Sequence, residues 1–548
     1  MARILTISIS ILFLCSFQLQ AQSLALEVYD ILQTNCATSG CHNSSDQAAN
    51  LDLQGSGANP TVQVYNNLVN KQPENTYARN MGYQLVLPGR PDKSFLYRKI
   101  NQGLEDLINL HADEKENMPL NEDPISEKER EKIRQWILYG APLLVDPTIN
   151  GARVSDLVDE FYDKNGLVSF PDGPPPAPPE GEGFQIKMGP FFLPPQGEGE
   201  YFHKYDLDLP DDLEVNRVDM TMSNYSHHLI LYDFNPGGSN SIPDGLRLNP
   251  NHSDIGLVTA IQQSEDIRLP EGTAFKWEQS IVLDLNSHYI NYDATQVYKC
   301  ESYINIYTQP NGTAAQEMKT ELIANGNIFI PNNGNMVTHT DNINYPLGDI
   351  YMWGIMGHTH KYGRGYKVYK RINGVRDEII YDAACPQGIP GCVSPNFDYQ
   401  HIPMTNYDSF LPISMNFANG LVHEANWVND GPNNVFFGPT SDDEMMVLVL
   451  MYVEDLDGVT VSSDQVRHQV KGVKIAPNPM TDIATISIPK AFDANQLFLY
   501  DITGKQVFNK AISTDYVELQ KGNLLPGMYF YRLEDELGQY ATGKLVIN

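Results

Sequence analysis

Five histidines and Met445 stand in four short runs in the middle of the chain, in spacings that a metal ion can use. The runs are Ser226-His227-His228-Leu-Ile-Leu-Tyr232, Leu283-Asp-Leu-Asn-Ser-His288-Tyr289, Met356-Gly-His358-Thr-His360 and Asp443-Glu-Met445-Met446. Neighbouring residues on a regular strand face opposite ways, so His227 and His228 share one ion only at a strand end or a bulge. His288 would then make a three-imidazole site with them. The i, i+2 spacing of His358 and His360 puts both rings on one strand face, the natural geometry for two ligands of one ion. Imidazole suits Cu, Zn, Fe or Ni, whereas a thioether selects soft Cu(I), so a His-His-Met set points to copper that passes through Cu(I). Taken singly, each run also reads as structure: a polar strand edge, or a core methionine at a strand start. No Ser-His-Asp or paired-carboxylate motif stands out, and no His-Glu-x-x-His helix supports zinc hydrolysis.

A second constellation lies near the N-terminus, in Asn35-Cys36-Ala-Thr-Ser-Gly-Cys41-His42. Heme attachment needs two thiols for thioethers and an adjacent imidazole for the iron. Cys36, Cys41 and His42 supply that set, with four residues between the cysteines instead of the usual two. The run follows a helical stripe of Leu24, Val28, Ile31 and Leu32. Downstream, Met118-Pro119 precedes Ser126-Glu-Lys-Glu129, a capping box, and a helix with Ile133, Trp136 and Ile137 on one face and Gly140 as its stop. This stretch, residues 24–142, resembles a small class I cytochrome c. That resemblance implies heme c with His42 as proximal ligand and Met118 as distal one. His111 competes with Met118, and a local Cys36–Cys41 disulfide in a helical cap is the alternative to heme.

The order His-His, Leu-x-x-His-Tyr, His-Thr-His and Ser-Asp-Asp-Glu-Met before an apolar strand resembles the copper type II, ascorbate-dependent monooxygenases, which include the peptidylglycine and dopamine β-hydroxylases. The resemblance implies two jelly-roll-like β-sandwiches with a solvent-filled cleft between two copper ions. An electron-transfer copper would lie on His227, His228 and His288, and the catalytic copper on His358, His360 and Met445. O2 and a one-electron reductant, ascorbate or another, would convert a substrate C–H bond to C–OH. Two departures bear on the substrate. Met356 stands where the peptide-amidating enzymes carry an Arg, and Val447 and Val449 stand in place of their Asn and Tyr. A C-terminal glycine peptide is therefore disfavoured, and a more apolar small molecule is expected.

Several elements must position these residues. With 548 residues the chain suits roughly three to four domains at about 150 residues each. From Phe184 to about Asp455, alternating stretches such as Met446–Val453 lie between Asn, Gly, Pro and Asp turns, an all-β pattern. The expected architecture is multidomain: an all-α cytochrome c-like domain (24–142), a Pro/Gly-rich linker (143–183) around Pro174–Pro179, two copper β-sandwiches (184–330 and 331–460) and a small C-terminal β-sandwich (467–548). The tail, with Ile475-Ala-Pro-Asn-Pro479, Leu499-Tyr-Asp-Ile-Thr-Gly504 and Pro526-Gly-Met-Tyr529, resembles the sorting domain of the type IX secretion system of Bacteroidetes. Its partner would be that machinery. At the other end, Arg3, the apolar run Ile4–Phe17 and small or polar residues around Ala21 read as a cleaved signal peptide over residues 1–21. No other run approaches the ~18 to 20 apolar residues of a membrane helix.

A net charge of −31 leaves no broad basic surface, so nucleic acid and anionic lipid are poor partners. Apart from Cys15, the cysteines are Cys36, Cys41, Cys300, Cys385 and Cys392, too few for a disulfide scaffold; Cys385 and Cys392 could close a short disulfide loop, and Cys300 could be buried and free. The leading expectation is a secreted or cell-surface monooxygenase, with the heme passing electrons to the first copper and a redox partner supplying them. A non-catalytic secreted copper or electron carrier is the alternative, and a glycan-binding surface module a third reading.

Overall fold

The computed structural model describes residues 23–548 except 249–254, 344–347, 385–396, 403, 439–441, 460–472, 490–491, 493, 502–504, 513, 515, 523 and 535–539. The expected signal peptide, Cys15 and the Cys385–Cys392 loop lie outside the described residues. Strands dominate, in several small sheets, and the helices are few.

Helices gather at the N-terminal end. Leu24–Asn35 buries Leu24, Val28, Ile31 and Leu32, the expected stripe, against Glu127–Leu138, which buries Ile133, Trp136 and Ile137. The Ser126 hydroxyl accepts from the Glu129 N–H, and the Glu129 carboxylate accepts from the Ser126 N–H, both at 3.3 Å, so the capping box forms as read. The 143–183 segment is more than a linker: Val154–Lys164 is a helix, tied down by Lys132, which bridges Glu27 at 2.7 Å and Asp159 at 2.8 Å. Its apolar residues Val154, Leu157, Val158 and Phe161 recur at helical spacing and cover the neighbouring helix, which is why it is ordered.

The helical part is locked onto the first sheet pair. The Gln135 side chain donates to the Pro190 carbonyl at 2.8 Å, Arg134 donates to the same oxygen, and Lys187 pairs with Glu105 at 2.5 Å, all buried. Gly89 faces the backbone of Asp244 so closely that a Cβ there would stand 2.3 Å from it, and only glycine permits that approach.

That first pair comprises a seven-stranded and a five-stranded sheet. The five-stranded sheet carries three strands that matter here: β1 (Glu198–Asp206), β2 (Ser226–Phe234) and β3 (Val282–Ile290), with β3 hydrogen-bonded between the other two. Leu283, Leu285 and Tyr289 alternate along β3 toward a core that includes Phe191 and Tyr201, whose rings lie 4.3 Å apart. Asp284, Asn286 and His288 alternate onto the opposite face.

The second pair comprises two four-stranded sheets, one of them ordered Lys319–Ala324, β5 (Val447–Val453), β4 (Gly348–His358), Thr405–Met415. Lys319–Ala324 pairs with β5 along its whole length, so the second pair begins before residue 331, where the sequence boundary was expected. The reason is the unmet edge of β5, a strand buried at every position, which needs a partner on both sides. From Lys474 onward, a three-stranded and a four-stranded sheet enclose a separate core of Ile486, Leu497, Leu519, Leu533 and Leu545. Among the described residues no helix is long and apolar enough to cross a membrane.

Candidate metal centre

Cross-strand register builds the first half of the site. On β3, His288 lies directly opposite Glu200 of β1 on one side and His228 of β2 on the other, so three potential ligands form a row on one sheet face. Between His288 and Tyr289 the pairing with β2 skips one residue, from His228 to Ser226. The unpaired residue is His227. This is the bulge that adjacent histidines require if both are to reach a metal, and it re-aims the His227 ring. Two hydroxyls satisfy the carbonyl the bulge sets free: Ser287 donates to the His228 oxygen at 2.7 Å and Ser226 at 3.1 Å.

The second half comes from β4 and β5. His358 is the last residue of β4 and lies opposite Val447, the first residue of β5, which brings the preceding Met445 to the same end of the sheet. His360 lies beyond the strand end, in the turn that follows, not on the strand as the i, i+2 spacing suggested. Its ring centroid is 5.1 Å from that of His358. The His360 Nδ1–H donates to the Asp443 carbonyl at 3.1 Å, which fixes the tautomer and leaves Nε2 buried with no hydrogen-bond partner. A histidine held this way presents a lone pair to a cation.

The structure regroups the ligands. One ligand atom each from His227, His358 and His360 lies within 4.8 Å of the others, and the same holds for Glu200, His228 and His288. His227 thus stands 5.7 Å, ring to ring, from His358 of the other sheet pair, and also 5.7 Å from His288. The expected grouping placed His227 with His228 and His288; in the structure its ring is as near to His358 as to His288, and its ligand atom groups with those of His358 and His360. The expected solvent-filled cleft is corrected as well: the five imidazoles form one continuous cluster, each 8% exposed or less. Burial, together with repulsion from the neighbouring rings, holds His227 and His358 well below the ordinary histidine pKa, and His360 at about 4. Neutral imidazoles are the ligating form. Glu200 behaves in the opposite way: burial alone would raise its pKa, but His228 and His288 hold it down at about 2.

Beside the cluster lies a cavity of about 220 Å³ lined by His228, His358, Met445, Met356, Val447 and Val449 among others. The three positions that depart from the peptide-amidating pattern, Met356, Val447 and Val449, therefore share one apolar wall. Met445 is half-buried on that wall.

Sequence reasoning missed two carboxylates. Glu200 carries no local motif, and only the β1–β3 register reveals it. Glu444, next to Met445, is fully buried; its carboxylate accepts from the backbone N–H of His360, of Tyr362 and of Met445 and from the Trp427 indole.

In the helical region a cavity of about 770 Å³ is lined by Cys36, His42, Leu53, Leu96, Ile100 and Met118 among others. The His42 Nδ1 is buried without a hydrogen-bond partner. Cys36 and Cys41 are both free thiols, so the expected alternative of a local disulfide does not form, and Cys41 sits in the turn beside the cavity. Burial and the neighbouring Cys41 push the Cys36 thiol up to about 12. His111 is engaged elsewhere: it stacks on Tyr77 at 4.3 Å and accepts from the Asp113 N–H at 3.2 Å. Cys300 is buried and free, as expected.

At the C-terminal end, residues 474–548 match the family described as the secretion system C-terminal sorting domain. The tail is a type IX sorting domain. It marks the chain for export, to the medium or to the cell surface, and makes the secretion machinery a partner. No curated protein matches the chain. Among solved structures, PorZ, a surface component of the type-IX secretion system of Porphyromonas gingivalis, is similar at 18% identity and a TM-score of 0.13, over 18% of this chain and 14% of that one. The major capsid protein P2 of bacteriophage PM2 is similar at 12% identity and a TM-score of 0.21, over 49% of this chain and 97% of that one. Latent PorU of P. gingivalis is similar at 12% identity and a TM-score of 0.13, over 58% of this chain and 30% of that one.

Proposed function

We propose that this exported protein is a copper-dependent monooxygenase that hydroxylates a C–H bond of a small apolar substrate, with the two sheet pairs acting as its two β-sandwiches. The observation that carries the reading is the convergence of five buried imidazoles from both sheet pairs beside an apolar cavity that also contains the Met445 thioether. His227, His228, His288, His358, His360 and Met445 would hold two ions. Copper cycling between Cu(I) and Cu(II) would supply the single electrons that O2 activation needs.

The chain's own contribution is position, dryness and selection. The Asp443 carbonyl holds the His360 tautomer, and the bulge aims His227. Val447, Val449 and Met356 exclude water and favour apolar groups over a carboxylate. A cavity of roughly 150 Å³ accommodates benzene, so about 220 Å³ suits a substrate of that order of size. The overall change, R–H + O2 + 2 e⁻ + 2 H⁺ → R–OH + H2O, takes both electrons from ascorbate or another one-electron donor.

The helical region fits the donor role. Its cavity falls in the usual range of roughly 300 to 1,000 Å³ for a cofactor site and would hold heme c, with the Cys36 and Cys41 thiols as anchors and the His42 imidazole and Met118 thioether as donors to its iron. The buried contacts of Arg134, Gln135 and Lys187 fix this region against the first sheet pair. The test is elemental analysis with an optical spectrum of the reduced protein, followed by O2 uptake with small aromatic and aliphatic substrates. About two coppers, one heme and O2 uptake matched by hydroxylated product are expected. Copper without substrate-coupled O2 uptake would make the protein an electron or copper carrier.

A further inference from the structure

We propose that Glu200 is itself a metal ligand: with His228 and His288 it completes a two-imidazole, one-carboxylate site on the first sheet pair, while His227 serves the His358–His360 ion across the interface. The inference rests on the metal-dependent reading above and changes its donor set.

Register supplies the first support. Glu200, His288 and His228 occupy directly opposed positions on three adjacent strands, so their side chains rise from one sheet face side by side. Unmet hydrogen bonding supplies the second. The His288 Nε2–H donates to Glu198 at 2.8 Å, which leaves Nδ1 as the lone-pair nitrogen, and that atom is buried with no hydrogen-bond partner. Facing it at 3.8 Å is Oε2 of Glu200, also buried and also without one. A separation of 3.8 Å is too long for a hydrogen bond. It is the separation that one cation spans with bonds of about 2.0 to 2.2 Å to each atom.

The other carboxylate oxygen, Oε1, accepts from the His228 Nε2–H at 2.8 Å, a proton that an ion seated beside Glu200 would displace, and such an ion would be within reach of both rings. The Asn286 amide also donates to Oε1 and fixes the carboxylate from the sheet side. A carboxylate is a harder donor than a third imidazole, so this site would favour Cu(II) or another divalent first-row ion, in contrast to the thioether-bearing site.

Cu(II) is titrated into the metal-stripped full-length protein and its Glu200→Gln variant, and followed by electron paramagnetic resonance and by infrared difference spectroscopy. The wild type is expected to bind about two equivalents and to show a shifted carboxylate stretch. Glu200→Gln keeps the side-chain volume and a hydrogen-bonding oxygen but loses the charge; it is expected to bind one of the two ions at least tenfold more weakly and to lose the carboxylate band. Two equivalents held by the variant with an unchanged resonance spectrum would overturn the proposal. So would a wild-type infrared difference spectrum with no carboxylate band, which needs no variant to fold. A wild type that binds no copper at all would overturn the functional reading instead.

Discussion

The carboxylate of Glu444 accepts the backbone N–H of His360 at 2.8 Å, so the segment that leads to Met445 and the turn that carries the last histidine are clasped together. The same carboxylate accepts from Tyr362 at 2.6 Å and from the Trp427 indole at 2.8 Å. Glu444→Gln keeps one accepting oxygen and turns the other into a donor, leaving buried N–H groups unmet. We expect a loss of roughly 1 to 3 kcal/mol of stability and a 10- to 100-fold weaker second copper. Thermal unfolding and copper titration on one preparation check both; unchanged copper affinity would show that the clasp is structural only.

The cavity wall makes a prediction about substrate. Val449→Tyr pushes a ring into the space beside His358, which should abolish turnover of small apolar substrates while leaving copper content at the wild-type value. The overpacking should cost about 1 to 3 kcal/mol of stability. Product formation, copper analysis and unfolding midpoints measured together separate a filled pocket from a lost metal.

If the helical region holds heme c as proposed, Cys41→Ala should remove covalent attachment and slow turnover with physiological electron donors, while turnover with ascorbate stays within about twofold of wild type. Steady-state rates under the two kinds of donor give the answer. Equal rates with both donors in the variant would refute electron supply through this domain.

Glu265 links the two sheet pairs and sets a pH dependence. Its carboxylate accepts from the Met404 N–H at 2.7 Å, yet burial outweighs that bond and raises its pKa from the ordinary 4.5 to about 7. An acid with a raised folded-state pKa is penalised when ionised. Its contribution is therefore fully favourable below about pH 4.5 and is lost as pH rises toward about 7. Relative to Glu265→Gln, the wild type should lose stability across that window, a loss set against His227, His358 and His360, whose lowered pKa values add stability as pH rises toward 6.5. Parallel slopes would remove Glu265 from the account.

What could be read without coordinates was local. The capping box at Ser126, the apolar stripe of Leu24–Leu32 and the demand for a bulge at His227-His228 each follow from a few neighbouring residues, and each is present. Glu200 was invisible because its meaning depends on which residue of β3 it opposes, and strand register is a long-range property. The regrouping of His227 with His358 depends likewise on how the two sheet pairs meet. The helix Val154–Lys164 was legible in its i, i+3, i+4, i+7 apolar spacing, but the prolines that follow drew the reading toward a linker. Lys319–Ala324 continues the first pair in sequence but completes the second in space, which no local pattern reveals.

The separate core of the C-terminal sheets has a bearing on the life of the protein. Their apolar residues and those of the body form two distinct clusters, and no residue of the ligand sets lies beyond Met445. Address and cargo are thus separable pieces of one translation product. Cutting between them in transit would strip the label and leave the working machinery with every contact that holds its ligands in place.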